Sequence, residues 1–326
     1  MNNNYRSPYP DLWKGRHTNE GLPPEYWHEH ISMLDLNSEL KEGSESNKHI
    51  ALLGYACDEG VKRNLGRIGA KKAADEIRKQ LSKLAVHFDD KKLWDAGNIV
   101  CDDGDLEATQ QALQKAVSVL LKQEIFPVVI GGGHDIAYGH FSGIYDYLKI
   151  HKPGSTIGII NFDAHFDLRV PVKEGNSGTP FYQISEVLKS EKLPFHYLVL
   201  GIQRESNGKE LFNRAKHLGV DYVLSEECRL NNIEKVKNKL RNFITNTDYI
   251  YLSIDMDGFA SNYAPGVSAP SPMGFDPAFA FELIATIFDS NKVISCDIAE
   301  CNPSYDYDDH TSRLAARLIY HIADYL

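Results

Sequence analysis

The sequence predicts an α/β protein whose central sheet is mainly parallel. From Ile50 onward, short apolar runs alternate with longer segments that have helical periodicity. The connections between successive runs are long enough for the helical crossovers that parallel strands require. No segment rich in Pro, Gly and Ser interrupts this alternation, so we expect a single domain.

Eight segments are predicted to be strands, because each is a short apolar run followed by turn or polar residues. They are His49–Gly54, Leu93–Val100, Phe126–Ile130, Ile157–Phe162, Tyr197–Leu200, Tyr222–Leu224, Tyr249–Ile254 and Val293–Ile298. Such strands can form an open sheet or a closed barrel. Both arrangements keep ligands at the carboxyl ends of the strands, so counting elements does not separate them.

The segments between the strands are predicted to be helices. After Asp105, which can cap a helix, Leu106, Leu113, Val117 and Leu120 share one face. The predicted helices cover Ile68–Leu84, Asp105–Gln123, a segment starting at Asp135, and segments within Phe181–Leu188, Lys209–Leu218, Ile233–Phe243, Pro277–Phe288 and Thr311–Tyr325.

Residues 1–48 show no clear periodicity, and we expect them to form an arm over the α/β domain at 49–326. The aromatic residues of the arm include Tyr9, Trp13, Tyr26 and Trp27. They can pack on the core of the domain or on a neighbouring subunit, and the sequence leaves both alternatives open.

Composition narrows the class of partner. The net charge of the 326 residues is −10, which disfavours a nucleic-acid or anionic-membrane surface and favours a small-molecule partner. We expect a cytoplasmic protein, because the first residues lack the apolar core of a signal peptide and no run reaches membrane-spanning length. The five cysteines are scattered and never spaced as Cys-x-x-Cys, so we expect reduced thiols.

Three predicted strands end in side chains that can bind a metal ion. These side chains are His134 after three glycines, Asp163, His165 and Asp167 after the next strand, and Asp255 and Asp257 after a later one. Carboxylates favour Mn²⁺ or Mg²⁺, and imidazole extends the range to Zn²⁺ or Fe²⁺. The alternatives are strand-end caps with exposed acids, or a phosphate-binding turn at the glycines. The chain lacks the usual nucleotide-binding glycine patterns there, which disfavours the second alternative.

Six such ligands are too many for one ion and suit two ions that share bridging carboxylates. Two neighbouring metals lower the pKa of a bridging water, so hydrolysis is the reaction that this pattern favours. Glu300 follows a fourth strand and can grip a planar cationic amidinium or guanidinium group. A surface or helix-capping carboxylate is the alternative for Glu300.

The motifs together resemble those of the ureohydrolase family, which comprises arginases, agmatinases and formimidoylglutamases. They are Gly131–His134, Asp163–Asp167, Ser253–Asp257 and Asp297–Pro303. The resemblance implies an open three-layer α/β/α fold with a mostly parallel eight-stranded sheet. It also implies a homo-oligomer with two Mn²⁺ per subunit.

The resemblance further implies a role for each site residue. One ion would take His134, Asp163, Asp167 and Asp255, and the other would take Asp163, His165, Asp255 and Asp257. A metal-bridging hydroxide would attack the amidine or guanidine carbon of the substrate. Asp167 would orient the hydroxide and manage a proton, while Glu300 would hold a substrate nitrogen.

Departures from the arginase pattern resemble the formimidoylglutamase branch. Ser177, which is predicted to contact the substrate, stands where arginases and agmatinases usually have His, and Ala260-Ser261 replaces Asp-Pro. Arg169 follows the ligands, where a fixed positive charge suits a dicarboxylic substrate better than cationic agmatine. Arg204 is predicted to contact a second carboxylate, with a surface arginine or a structural ion pair as the alternative.

The predicted activity is therefore hydrolysis of N-formimidoyl-L-glutamate to L-glutamate and formamide, a step of histidine degradation. Three alternatives stay open: a urea-releasing hydrolase of a guanidino acid, agmatine or arginine, a zinc deacetylase on a related fold, and an inactive metal-binding protein. The set of four aspartates disfavours the deacetylase, and the complete ligand set disfavours the inactive protein.

Overall fold

The computed structural model describes residues 3–38 and 48–326, which form one ten-stranded sheet with helices on both faces. The strands are β1 (Tyr5–Arg6), β2 (Ile31–Met33), β3 (Lys48–Ala56), β4 (Lys91–Val100), β5 (Ile125–Ile130), β6 (Ile157–Phe162), β7 (His196–Ile202), β8 (Asp221–Leu224), β9 (Tyr249–Asp255) and β10 (Val293–Ala299). Their order is β1-β4-β3-β5-β10-β9-β6-β7-β8, and β2 also pairs with β4. The predicted open, mostly parallel sheet is confirmed, and its eight predicted strands correspond to β3–β10.

The helices are α1 (Trp27–His30), α2 (Glu59–Arg63), α3 (Ala73–Leu81), α4 (Leu106–Lys122), α5 (Ile136–His151), α6 (Pro180–Ser190), α7 (Lys209–His217), α8 (Ile233–Thr245), α9 (Pro277–Phe288) and α10 (His310–Tyr325). Asp105 caps α4 as predicted, because its side chain accepts a hydrogen bond from the Ala108 amide at 2.9 Å. Helix α3 begins five residues later than predicted, since Gly69 has a φ of +136° and interrupts the helical backbone.

The core lies in two layers, one on each face of the sheet. Neighbouring residues of a strand alternate between them: in β3, Ile50 and Leu52 join the layer of α3, α8, α9 and α10, whereas Ala51 and Leu53 join that of α4, α5 and α6. Successive side chains of a strand point to opposite faces, so central strands covered on both faces are apolar throughout. This is the three-layer arrangement that the sequence predicted.

The described part of the predicted arm belongs to the sheet and the core. β1 runs antiparallel to β4 and β2 runs parallel to it, along the edge that β4 would otherwise expose. Trp27 is fully buried, and Trp13 is buried with its indole N–H donating to Asp95 Oδ2 at 2.8 Å. Both tryptophans therefore pack on the core, whereas Tyr9 is 58% exposed. The domain boundary predicted at residue 48 stays a prediction, and residues 1–2 and 39–47 lie outside the described part of the chain.

Four central strands bring the predicted site residues to one edge of the sheet. β5, β10, β9 and β6 are consecutive neighbours, and all of them are parallel. Their carboxyl ends therefore meet on the same side, where ligands of open α/β sheets bind. Within residues 3–38 and 48–326, no helix combines the length and the apolar character needed to cross a membrane.

Candidate metal centre

The loops after β5, β6 and β10 contain residues with positive φ angles, and these turns place the site residues. Gly131 and Gly132 have φ angles of +88° and +77°. A Cβ atom on Gly132 would lie 2.6 Å from the Cys57 carbonyl oxygen, so only glycine fits there. Asp167 and Glu300 also adopt positive φ angles, of 48° and 61°. Strained backbone of this kind is typical of functional sites.

The first group of predicted ligands surrounds His134. The His134 Nδ1 atom lies 3.1 Å from Asp163 Oδ2, 3.0 Å from Asp167 Oδ2 and 2.9 Å from Asp255 Oδ2. These four residues form a group in which one ligand atom from each lies within 4.8 Å of the others. The group has the same members as the first predicted ion site.

The second group surrounds His165. The His165 Nδ1 atom lies 3.4 Å from Asp163 Oδ1 and 3.1 Å from Asp257 Oδ2. Asp163 therefore presents one carboxylate oxygen to each group, as a bridging ligand would. Asp255, also predicted to bridge, belongs only to the first group. Its Oδ1 atom accepts a hydrogen bond from the Asp257 amide at 2.8 Å.

The electrostatics of the two groups call for cations. The pKa of Asp255 is raised well above its usual value by burial and then by the charges of Asp257 and Asp163. Burial also raises the pKa of Asp167, and the charge of Asp163 adds to this shift. Burial alone would lower the pKa of His134, but its three carboxylate neighbours raise it well above its usual value. Without a metal ion these groups favour bound protons, and divalent ions would take the place of those protons.

Unpartnered atoms give an independent test of whether metals fit this site. Among the described residues, Asp257 Oδ1 and Glu300 Oε2 are buried and have no hydrogen-bond partner. A buried polar atom without a partner is costly, and a metal ion can satisfy it. The donor set of carboxylates and imidazoles matches ions such as Mn²⁺. The residues therefore fit a binuclear metal centre.

A buried serine and a buried aspartate fix the orientation of His134. Its Nε2 atom lies 2.9 Å from Ser253 Oγ, and the Ser253 hydroxyl donates to Asp297 Oδ1 at 2.7 Å. Since Ser253 donates to Asp297, it accepts from His134 Nε2–H, so Nδ1 faces the carboxylates and would offer its lone pair to a metal ion that displaces its proton. No role was predicted for Ser253 or Asp297. They are direct partners in the register of β9 and β10, and a known strand order would have revealed this.

The two groups lie in a cavity of about 220 Å³. Its lining includes His134, His165, Asp167, Asp255, Asp257 and Glu300, together with Asn64, Gly66, Arg169, Ser177, Ser206, Asn207, Leu211, Ser268 and Ala269. Asn64 was not predicted, yet it joins two predicted substrate contacts. It accepts from Arg169 Nη1 at 2.9 Å, and its side-chain amide donates to Ser177 Oγ at 3.0 Å.

Glu300 has one engaged and one unengaged carboxylate oxygen. Its Oε1 atom accepts from the His134 amide at 2.8 Å, whereas Oε2 has no partner among the described residues. Burial, and then the charge of Asp257, raises the pKa of Glu300 to about 8. A cationic group near Oε2 would give this oxygen a partner and would stabilise the ionised carboxylate. Glu300 is buried in the cavity wall, so the surface-acid alternative does not describe its position.

Arg204 does not line the cavity. Its side chain is 67% exposed, and its Nε atom lies 3.4 Å from Glu226 Oε1 on the surface. The structure therefore favours the alternative weighed for Arg204, a surface ion pair, over contact with the substrate. Ser206 and Asn207, which follow it closely in the sequence, do reach the cavity.

Comparison with known proteins agrees with this geometry. Residues 48–324 match the model of the Arginase family. The chain is 41% identical to formimidoylglutamase of Clostridium tetani, over 98% of this chain and 96% of the relative. It is 43% identical to formimidoylglutamase of Vibrio parahaemolyticus, over 96% of this chain and 93% of the relative.

Solved structures of formimidoylglutamases also resemble this chain, at lower sequence identity. The structure of formimidoylglutamase from Bacillus subtilis matches with a TM-score of 0.78 and 26% identity, covering 91% of this chain and 90% of that one. Trypanosoma cruzi formiminoglutamase with Mn²⁺₂ matches with a TM-score of 0.74 and 27% identity, covering 86% and 95%. These relatives are named formimidoylglutamase or formiminoglutamase, and this is the branch that Ser177 and Arg169 predicted. The chain belongs to the arginase family.

Proposed function

We propose that this protein hydrolyses N-formimidoyl-L-glutamate to L-glutamate and formamide. The observation that carries the proposal is the composition of the cavity. Carboxylates and imidazoles for two cations form its floor, an unpaired carboxylate oxygen of Glu300 faces it, and Arg169 lines it. Relatives named formimidoylglutamase, similar over nearly the full length of the chain, support this substrate.

In this proposal two Mn²⁺ ions per subunit are held by six side chains. They are His134, Asp163, Asp167 and Asp255 for one ion, and Asp163, His165 and Asp257, with Asp255 as a further predicted ligand, for the other. When bound, the pair would supply Lewis acidity and a water of lowered pKa. The remaining roles belong to the side chains.

Asp167 is the group proposed to hold the proton during the reaction. It is buried beside Asp163, and burial and this neighbouring charge raise its pKa above the usual value. A carboxylate whose pKa is shifted toward neutrality can accept a proton and return it, which is the requirement for general acid–base catalysis. We assign to Asp167 the transfer of a proton to the nitrogen that leaves with glutamate.

Glu300 is proposed to bind the formimidoyl group. The amidinium of the substrate is planar and cationic and carries N–H donors, which match a carboxylate oxygen that lacks a partner. Because burial and Asp257 raise the pKa of Glu300 to about 8, an arriving cation stabilises its ionised form. The contact therefore orients the amidine carbon over the two groups of metal ligands.

Arg169 is proposed to select a substrate with carboxylates. Among the described residues that line the cavity, it is the one with a fixed positive charge. Asn64 holds its guanidinium at 2.9 Å and also contacts Ser177, so the three side chains form one hydrogen-bonded unit. A guanidinium pairs with a carboxylate and repels cationic agmatine.

A substrate panel tests the proposal. The Mn²⁺-loaded protein is incubated separately with N-formimidoyl-L-glutamate, arginine, agmatine and guanidino acids, and formamide, urea and ammonia are quantified. We expect formamide from the first substrate alone. Urea from a guanidino compound without formamide would keep the metal centre and overturn the assignment of Arg169 and Ser177. Bound Mn²⁺ without any turnover would support an inactive metal-binding protein.

The cytoplasmic location and the homo-oligomeric state predicted from the sequence stay predictions. Sedimentation velocity of the Mn²⁺-loaded protein would give the subunit number, which is expected to exceed one.

A further inference from the structure

We propose that the amino-terminal arm carries a second divalent-metal site, formed by His17, His28 and Glu29 and suited to Zn²⁺. One ligand atom from each of these residues lies within 4.8 Å of the others. None of the three lines the catalytic cavity. Two imidazoles and one carboxylate are a ligand set that Zn²⁺ accepts, with water completing a tetrahedron.

The geometry of the cluster is close to that of a metal site. His17 Nδ1 lies 3.7 Å from Glu29 Oε1, and the rings of His17 and His28 have centroids 5.1 Å apart at an angle of 66°. Ligand atoms around one tetrahedral zinc ion lie about 3.4 Å apart, since each is about 2.1 Å from the metal. The side chain of His17 is 81% exposed, so a small rotation of it can close the site.

The hydrogen bonding of His28 prepares one nitrogen for a metal. Its Nδ1 atom lies 3.0 Å from the Ser82 carbonyl oxygen. A carbonyl only accepts, so Nδ1 carries the proton and Nε2 carries the lone pair. The Nε2 atom is buried and has no hydrogen-bond partner among the described residues. A ring N–H held by a backbone carbonyl is the arrangement that usually orients a metal-binding histidine.

Glu29 is held as an oriented carboxylate. Its Oε1 atom accepts from the Thr18 amide at 2.8 Å, and its Oε2 atom accepts from the Thr18 hydroxyl at 2.6 Å. The Thr18 hydroxyl, followed by the Thr18 amide, lowers the pKa of Glu29 to about 2. The carboxylate is therefore ionised at neutral pH, and Oε1 keeps a lone pair for a metal.

An ion at this site would join two parts of the arm, the loop at His17 and the helix α1. His17 lies in the loop before α1, and His28 and Glu29 lie within α1. The same His28 ring contacts the carbonyl of Ser82, which follows α3. A bound ion would thus cross-link the loop to the short helix beside the fully buried Trp27. Its role would be to stabilise the docked arm.

The test compares the Mn²⁺-loaded enzyme with its His17→Gln variant, and His217→Gln serves as the matched control. Both histidines are exposed, and His217 belongs to no described metal-ligand group. Each protein is equilibrated with Zn²⁺ and passed through a desalting column, and total manganese and zinc are then measured by elemental analysis. Zinc that replaces manganese in the catalytic centre leaves the total per chain unchanged.

We expect the parent protein and His217→Gln to hold one more equivalent of total metal than His17→Gln. Competition with a chromophoric chelator should show Zn²⁺ affinity at this site reduced at least about tenfold in His17→Gln. Zinc should also raise the melting temperature of His217→Gln more than that of His17→Gln. Equal metal content in the three proteins, or an equal loss in both variants, would overturn the proposal.

Discussion

At the residue scale, the site is defined by more carboxylates than the neighbouring imidazoles can neutralise. Four aspartates converge on two imidazoles at the carboxyl ends of the central strands, and Glu300 adds a fifth carboxylate. The raised pKa values of Asp255 and Asp167, both caused first by burial, show that the protein alone does not stabilise all of these charges. Substitutions in this cluster should therefore act first on metal content.

Asp163→Asn and Asp257→Asn should differ in the number of ions they remove. Asp163 directs Oδ2 toward His134 at 3.1 Å and Oδ1 toward His165 at 3.4 Å, so its replacement weakens both ion sites. Asp257 belongs only to the group of His165. Elemental analysis after gel filtration should find less than one Mn²⁺ per chain in Asp163→Asn and about one in Asp257→Asn. Equal content in the two variants would contradict the bridging role of Asp163.

Glu300→Gln should separate metal binding from turnover. The substitution keeps the size of the side chain and an oxygen that can accept from the His134 amide, but it removes the negative charge expected to face the amidinium. Loss of one partner of a buried charge pair costs about 2–5 kcal/mol, so kcat/KM should fall by roughly a hundredfold with manganese content unchanged. The matched control is Glu282→Gln on the exposed side of α9. Full activity, or a loss of manganese, would refute the role of Glu300.

At the element scale, strand ends could be predicted from the sequence, but strand neighbours could not. Each apolar run stops where polar ligands begin, so Asp163 and Asp255 could be assigned to strand ends directly. The order β5-β10-β9-β6 depends on long-range packing that no local pattern contains. The contact of Ser253 with Asp297 follows from that order, and this is why sequence reasoning missed it.

Ser253→Ala should weaken Mn²⁺ binding although Ser253 is not a predicted ligand. Without the hydroxyl, His134 Nε2–H loses its acceptor at 2.9 Å, and the ring is no longer fixed with Nδ1 toward the carboxylates. Loss of such an orienting partner costs about 10–100-fold in metal affinity. Titration with a competing chelator should reveal this loss, whereas Ser185→Ala should not change the affinity. Ser185 is also buried, but its hydroxyl donates to the Tyr182 carbonyl of α6. Unchanged affinity in Ser253→Ala would contradict the orienting role.

At the scale of the whole molecule, the layered fold was predictable and the contribution of the arm was not. The alternation of apolar strands and amphipathic helices requires two covered faces of one sheet. β1 and β2 are two and three residues long, too short to show a periodic pattern. The surface position of Arg204 was also not predictable from the sequence, because the direction of a side chain after β7 depends on the turn that follows and not on the residue type.

The fold and the metal centre should be thermodynamically linked, and the linkage should depend on pH. In the metal-free protein the pKa values of His134 and His165 are raised well above 6.5 by the neighbouring carboxylates, despite the opposing effect of burial. The stability from these protonated imidazoles is fully present below pH 6.5 and is lost as pH rises through the raised values. The raised pKa of Asp255 also makes stability fall as pH rises, because ionisation of Asp255 destabilises the folded metal-free protein.

Manganese should reverse this trend, because it binds the deprotonated ligands and displaces the protons. The increase in melting temperature caused by Mn²⁺ should therefore be larger at pH 8 than at pH 6.5. At a free Mn²⁺ concentration one hundred times Kd, the ion stabilises the folded protein by about 2.7 kcal/mol per site. Kd falls as pH rises, so the same concentration of Mn²⁺ stabilises the protein more at the higher pH. Differential scanning calorimetry with and without chelator measures the increment, and Asp163→Asn is the control in which it should disappear. An increment that is independent of pH, or that persists in Asp163→Asn, would mean that the buried cluster is not where manganese stabilises the fold.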